Sequence, residues 1–207
     1  MNSEILFRIA LGVILFRSAL IGLVHRIHAA AAGGKISRRE EGYLFAAVLR
    51  LAGLALFAAT LAHLIAPESL VWTAMPIPVW ARWCGAITGL LATTLMNVTL
   101  STLGRNLTDT VAPRTNATLV TRGPYRWVRH PFYTTAALLM ASVTVLTANW
   151  LIGLLSVLVL TLLAIRTPKE EAKLLERFGP AYQHYMANTG RYLPRFRQLR
   201  PDANRRL

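Results

Sequence analysis

Cysteine is all but absent from this 207-residue chain: Cys84 stands alone, inside an apolar stretch. Neither an intramolecular disulfide nor a multi-thiolate metal site is therefore possible within it. The five histidines, His25, His28, His63, His130 and His184, are scattered, and only the first two lie close together. That spacing argues against histidine-box di-iron chemistry, and no metal is expected. Charge is scarce too, at 15% of residues, where soluble domains carry roughly a quarter. A cleavable signal peptide is not expected either, because the first apolar run carries Arg8 and Arg17 and continues into His25-Arg26.

What fills the chain instead is hydrophobic. Apolar residues make up 54% of it, and the mean hydropathy is positive. The few charges cluster between long apolar stretches, the pattern of a polytopic membrane protein. A net charge of +14 would point to nucleic acid in a soluble protein. Beside hydrophobic spans it points to membrane orientation and anionic headgroups. The bilayer, and no nucleic acid, is the expected partner.

About 20 apolar residues cross the hydrocarbon as a helix. Ile5 to Val24, Tyr43 to Ala66 and Val79 to Leu103 each meet that length. From Phe132 to Ile165 run 34 mostly apolar residues, interrupted at Thr147-Ala148-Asn149-Trp150. At about 1.5 Å per residue this is too long for one span and a little short for two. It predicts a tight helical hairpin of two short helices. The expected fold is all-α with five transmembrane helices and short cytoplasmic C-terminal helices. Residues 1–103 would form a three-helix scaffold for substrate access, and 104–207 a region built around the hairpin.

Charge supports the map. The 26–42 loop, the 104–131 loop and the segment from 166 onward hold 19 of the 23 Lys and Arg residues. The 67–78 loop and the 147–150 turn hold none. The positive-inside rule then places the N-terminus outside and the C-terminus in the cytoplasm, as in a bacterial inner-membrane protein. Trp72, Trp80, Trp83 and Trp150 fit an outer interfacial belt.

Two segments flanking the hairpin concentrate polar chemistry. Before it stands Thr121-Arg122-Gly123-Pro124-Tyr125-Arg126-Trp127-Val128-Arg129-His130-Pro131-Phe132-Tyr133; after it stand Arg166-Thr167-Pro168-Lys169-Glu170-Glu171 and then Tyr182, Tyr185 and Arg191. If the hairpin brings its ends together, Arg129, His130 and Tyr133 face Glu170 and Glu171. The prolines restrict the residues before them to extended geometry, and extended backbone at this depth needs partners, which a bound polar cofactor would supply. Taken singly, the arginines also fit topology anchors. Glu170-Glu171 also fits the start of an amphipathic surface helix with Leu174, Leu175 and Phe178 as its apolar stripe.

The two-part pattern Gly-Pro-Tyr-Arg-Trp-Val-Arg-His-Pro-Phe-Tyr (123–133), then Glu-Glu-x-x-Leu-x-x-x-Phe-Gly-x-x-Tyr-x-x-Tyr (170–185), closely resembles the isoprenylcysteine carboxyl methyltransferase family and its phospholipid methyltransferase-like relatives. The resemblance runs from about Leu103 to Pro194, with Leu103-Gly104-Arg105-Asn106 as its upstream element. It implies an integral membrane methyltransferase with S-adenosylmethionine as cofactor. Tyr125, Arg129, His130, Pro131, Tyr133, Glu170, Tyr182 and Tyr185 would hold the cofactor, and Arg129, Glu170 and Glu171 would be catalytic. One departure is visible: Thr134-Thr135 stands where the family usually has Gly two residues after the tyrosine.

In-line methyl transfer depends on alignment and charge placement. A carboxylate nucleophile needs no base, and Arg129 would orient it as a bidentate donor. An amine or thiol must lose a proton, making Glu170, Glu171 or His130 a base. Three residues are candidates for binding a lipophilic or lipidated substrate. Arg17 lies mid-span, where charge is costly and usually functional, Asn97 lies in the third span, and Arg105 follows it. Phospholipid amine or small-thiol methylation is the nearest alternative. An NADPH-dependent sterol-type reductase is a second, though such enzymes have about twice the spans. A small transporter or scaffold, binding no cofactor, is a third.

Overall fold

A computed structural model describes residues 3–31, 42–104 and 118–195. Six α-helices contain most of them: α1 (Ser3–Ala31), α2 (Tyr43–Ile65), α3 (Val79–Leu103), α4 (Pro131–Thr147), α5 (Trp150–Phe178) and α6 (Pro180–Asn188). Among the described residues the only β-type pairings are two isolated bridges, Ala74 with Asn149 and Val128 with Gly190. Helices α1, α2, α3 and α5 are long and apolar enough to cross a membrane. Helix α4, the fifth expected span, is apolar but has only 17 residues, about 25 Å at the α-helical rise.

Because lipid supplies no hydrogen bonds, the backbone of each span must satisfy itself as helix, and the side chains facing lipid stay apolar. Ile9, Val13, Phe16, Leu20, Leu23 and Ile27 form such an exposed stripe on α1. Phe7, Leu11 and Ile14 of the same helix are buried with Ala86, Val143, Leu146 and Ile152. Helices α3 and α4 approach closely because α3 presents glycine to α4. A Cβ on Gly85 would lie 2.9 Å from the Leu146 amide nitrogen and 3.0 Å from the Ser142 carbonyl.

The connection between α4 and α5 is built by Ala148 and Asn149. Ala148 takes a left-handed conformation (φ 48°) that ends α4. Asn149, fully buried, caps α5 by accepting from the Ile152 amide and donates to the Thr73 hydroxyl. The Met75 amide donates to the Ala148 carbonyl at 2.7 Å, so the 67–78 segment is laced to this turn. Gly153 of α5 then packs on Thr144 of α4, and Tyr133 near the start of α4 bonds Glu170 far along α5.

Helix α5 differs from expectation. It does not stop near Ile165 but runs unbroken through Pro168 to Phe178. Pro168 has no N–H to bond the Ala164 carbonyl one turn back, and the Thr167 hydroxyl bonds the adjacent Leu163 carbonyl at 2.8 Å. Glu170 and Glu171 therefore sit inside a long helix, not at the start of a new one. With 29 residues, about 43 Å at 1.5 Å each, α5 outruns the hydrocarbon thickness of about 30 Å. Its polar last turns extend past the apolar part, and α6 follows after Gly179 (φ 53°).

Candidate functional site

The site grows from three local features. Pro131 occupies the first turn of α4, where its missing N–H costs nothing, so the chain before it approaches in extended form. Residues 128–130 then pair with the segment after α6. The Arg129 amide donates to the Gly190 carbonyl at 2.8 Å, and the His130 amide to the Arg191 carbonyl at 3.0 Å. These backbone groups, expected to need a cofactor, are satisfied by the chain itself. Gly190 is obligatory here, since a Cβ would lie 1.8 Å from the Leu193 carbonyl oxygen.

Glu171 is the centre of the cluster. Its Oε1 accepts from Arg129 Nε at 2.8 Å and lies 3.2 Å from His130 Nε2; its Oε2 accepts from Arg191 Nη2 at 2.6 Å. Its side chain is 5% exposed and that of Arg129 9%, against 44% for Arg191. Arg129 also donates through Nη1 to the Met186 carbonyl at 3.1 Å and to the Thr189 carbonyl. With Nε and Nη1 both committed, Arg129 does not present the two-pronged face that bidentate orientation of a carboxylate needs. The hydrogen bond that Arg191 donates to Glu171 holds its guanidinium above its usual range.

Glu170, next along α5, points to a different partner and accepts from the Tyr133 hydroxyl at 2.6 Å. The Tyr133 and His130 rings stack at 5.4 Å, 9° from parallel. On the other flank Tyr125, Tyr182 and Tyr185 are all buried. Tyr185 donates to the Tyr125 carbonyl, and burial pushes its hydroxyl up to about 12. Burial also raises Tyr125 and Tyr182, so all three rings are neutral at physiological pH. Tyr182 is 1% exposed overall, yet its hydroxyl has no hydrogen-bond partner among the described residues. Buried hydroxyls are normally hydrogen-bonded, so this one is available to a polar ligand group or a water.

The structure thus brings Arg129, His130, Tyr133, Glu170 and Glu171 together, with Pro131 setting the entry of α4 and Tyr125, Tyr182 and Tyr185 alongside. It does not bring Arg17 or Asn97 to that cluster. Arg17 bonds the hydroxyls of Thr93 and Thr94, and Asn97 bonds His25. Arg105 lies outside the described residues. Sequence reasoning missed Arg191 as a member of the ion cluster, together with Tyr192, whose hydroxyl donates to Thr167 at 2.7 Å. No spacing rule links residue 171 to 191; only the proximity of Gly190-Arg191 to the motif hinted at it. The Thr134-Thr135 departure is accommodated. Thr134 donates to the Tyr192 carbonyl at 2.8 Å, and Thr135 to the Phe132 carbonyl at 2.9 Å while resting on Met96 of α3.

Comparison with known proteins agrees in part with this geometry. No curated protein matches the chain. The fold is similar to the solved structure of the eukaryotic intramembrane Ras methyltransferase ICMT (isoprenylcysteine carboxyl methyltransferase), with a TM-score of 0.51 and 24% identity. That likeness covers 77% of this chain but only 54% of the other, so this chain spans about half the length of the protein it resembles. Residues 85–176, which include Arg129, His130 and both glutamates, match the model of the isoprenylcysteine carboxyl methyltransferase (ICMT) family. This matched segment, a little under half of the chain, is similar to the isoprenylcysteine carboxyl methyltransferase family.

Proposed function

We propose that the chain is a multi-pass membrane methyltransferase that uses S-adenosylmethionine and methylates a lipophilic acceptor, a carboxylate above the alternatives. The observation that carries this reading is the Glu171 cluster set beside the orphaned Tyr182 hydroxyl. Around them lie an acidic side chain, Glu170, and three neutral tyrosines. Such a set suits a ligand that carries both a sulfonium cation and polar groups. Cations are attracted to tyrosine faces, and the unanswered hydroxyl gives one polar group a partner. Tyr133, Glu170, Tyr182 and Tyr185 would hold the cofactor, with His130 and Pro131 shaping the entry of α4. When bound, S-adenosylmethionine supplies an electrophilic methyl group.

The chain's own contribution is alignment. Glu171 is saturated by Arg129, His130 and Arg191, so it serves as a positioning residue and not as a base. Arg129, locked onto Glu171 and two carbonyls of the segment around α6, ties that segment to the start of α4 and holds the tyrosines in place. A carboxylate acceptor fits this arrangement because the reaction then requires no deprotonation. The two glutamates take different roles, with Glu170 facing the cofactor and Glu171 holding the frame. The distribution of basic residues in the sequence supports a cytoplasmic site with the N-terminus outside.

The test is direct. Purified protein is titrated with S-adenosylmethionine and, separately, with NADPH. Binding of the first and not the second is expected, in detergent and in lipid. Failure to bind S-adenosylmethionine in both media overturns the proposal, and binding of NADPH alone favours the reductase reading. Transfer of labelled methyl groups into membrane extracts then identifies the acceptor, and a base-labile product marks it as an ester.

A further inference from the structure

Two consecutive residues after α6 each hold both α4 and α5. The Arg191 carbonyl accepts from the His130 amide at 3.0 Å, and its guanidinium donates to Glu171 of α5 at 2.6 Å. Tyr192 repeats the pattern. Its carbonyl accepts from the Thr134 hydroxyl of α4 at 2.8 Å, and its own hydroxyl donates to Thr167 of α5 at 2.7 Å. His130 and Thr134 stand four positions apart at the start of α4, as Thr167 and Glu171 do on α5. That spacing aligns each pair along one helix face. Residues 191 and 192 therefore stitch the two helices together in two rungs.

The rungs are unequal. The Arg191 side chain is nearly half exposed, where an ion pair contributes little. The Tyr192 rung ends on Thr167, which is fully buried. The Thr167 hydroxyl donates in turn to the Leu163 carbonyl at 2.8 Å, so the two hydroxyls form one chain in which each bond polarises the next. The Tyr192 ring also tilts against His130, with 6.0 Å between centroids. His130 stacks on Tyr133, and Tyr133 donates to Glu170. The buried rung thus sets the spacing of α4 and α5 one helical turn before the point where Tyr133 meets Glu170.

We propose that Tyr192 is a positioning residue for the cofactor. It touches no ligand itself. Its hydroxyl clamps α4 to α5, and the clamp holds the Glu170 carboxylate where it meets the cationic part of the bound molecule. The identity of that molecule rests on the methyltransferase reading; the clamp does not.

S-adenosylmethionine, with its cationic sulfonium, and S-adenosylhomocysteine, its neutral thioether counterpart, are each titrated into the full chain in nonionic detergent. Tyr192→Phe keeps the ring against His130 and removes only the hydroxyl. It is expected to weaken S-adenosylmethionine about three- to tenfold, the range to which the net worth of one hydrogen bond converts. S-adenosylhomocysteine should weaken by less than about twofold, because it lacks the charge that Glu170 meets. Thr134→Val removes the donor to the Tyr192 carbonyl at nearly constant shape and should shift the same ratio in the same direction. Hydrogen exchange gives a second readout that needs no ligand. The Arg129 and His130 amides, which donate to the Gly190 and Arg191 carbonyls, should exchange faster in both variants while α1 and α2 keep their protection. Equal weakening of the two ligands marks Tyr192 as merely structural and overturns the proposal. Wild-type affinities or wild-type exchange in Tyr192→Phe overturn it as well. If Tyr192→Phe fails to fold, the same outcomes are read from Thr134→Val. If the unmodified chain binds neither ligand, the methyltransferase reading falls, and hydrogen exchange alone decides the clamp.

Discussion

At the scale of single residues, the contrast between Arg129 and Arg191 separates framework from periphery. Both bond Glu171, but the Arg129 side chain is nearly buried while that of Arg191 is nearly half exposed. Removing one partner of a buried ion pair strands the other charge and costs about 3–5 kcal/mol, whereas an exposed pair contributes below about 1 kcal/mol. Arg129→Ala should therefore lower the melting temperature markedly and reduce methyl transfer at least about 100-fold, with Arg191→Ala showing only a small thermal shift. Equal thermal shifts in the two variants would contradict this division. Tyr185 adds a pH signature. Burial raises its hydroxyl from 10.0 to about 12, so the fold favours the protonated form. That contribution is complete below about pH 10, the ordinary tyrosine value, and is lost as pH rises through about 12. Chemical denaturation followed across this window should show stability falling in the unmodified protein and falling less steeply in Tyr185→Phe.

At the scale of elements, the α3–α4 contact depends on glycine where α3 meets the backbone of α4. Gly85→Ala places a methyl group against the Leu146 amide and Ser142 carbonyl, neither of which can yield without moving α4. A destabilisation of about 1–3 kcal/mol is expected. Gly53→Ala on α2, where nothing lies within 4 Å of the added carbon, should leave the melting temperature unchanged or slightly higher. The elements themselves were largely legible in the sequence. Apolar run length located α1, α2 and α3 to within a few residues at most termini, and Pro131 marked the start of α4. The last turns of α5 were not legible, because Pro168 reads as a stop while the helix runs on through it. The site was legible only in part. Arg129, His130, Tyr133 and the glutamates stand in two dense motifs, but the participation of Arg191 and the backbone pairing with Gly190 arise from a tertiary contact that no periodicity encodes. The same holds for His25 beside Asn97, which are 72 positions apart.

At the scale of the whole molecule, the two ends of the bundle are chemically unlike. One end gathers Trp72, Trp83 and Trp150 around the 67–78 segment. Trp72 meets Trp150 edge-on at 5.6 Å, and Phe7 lies 5.0 Å from Trp83. Two arginines lie at this end. Arg8 donates to the Leu64 carbonyl at 3.0 and 2.7 Å. Arg82 is paired with Glu4 through two contacts of 2.5 and 3.1 Å, bonds the Leu146 carbonyl and lies 4.1 Å over the Phe7 ring. The Arg82 charge is thereby masked by Glu4. The opposite end carries the Glu171 cluster together with the exposed Arg122 and Arg126. The positive-inside rule predicts the aromatic end outward, an expectation that thiol labelling can test, since Cys84 is the only cysteine. In a Cys84→Ala background, Ser69→Cys at the aromatic end should react with a membrane-impermeant maleimide in intact cells. Gln183→Cys on the exposed face of α6 should react only after the membrane is opened. The reverse pattern would put the candidate site outside the cell, away from a cytoplasmic supply of methyl donor, and would overturn the proposed orientation.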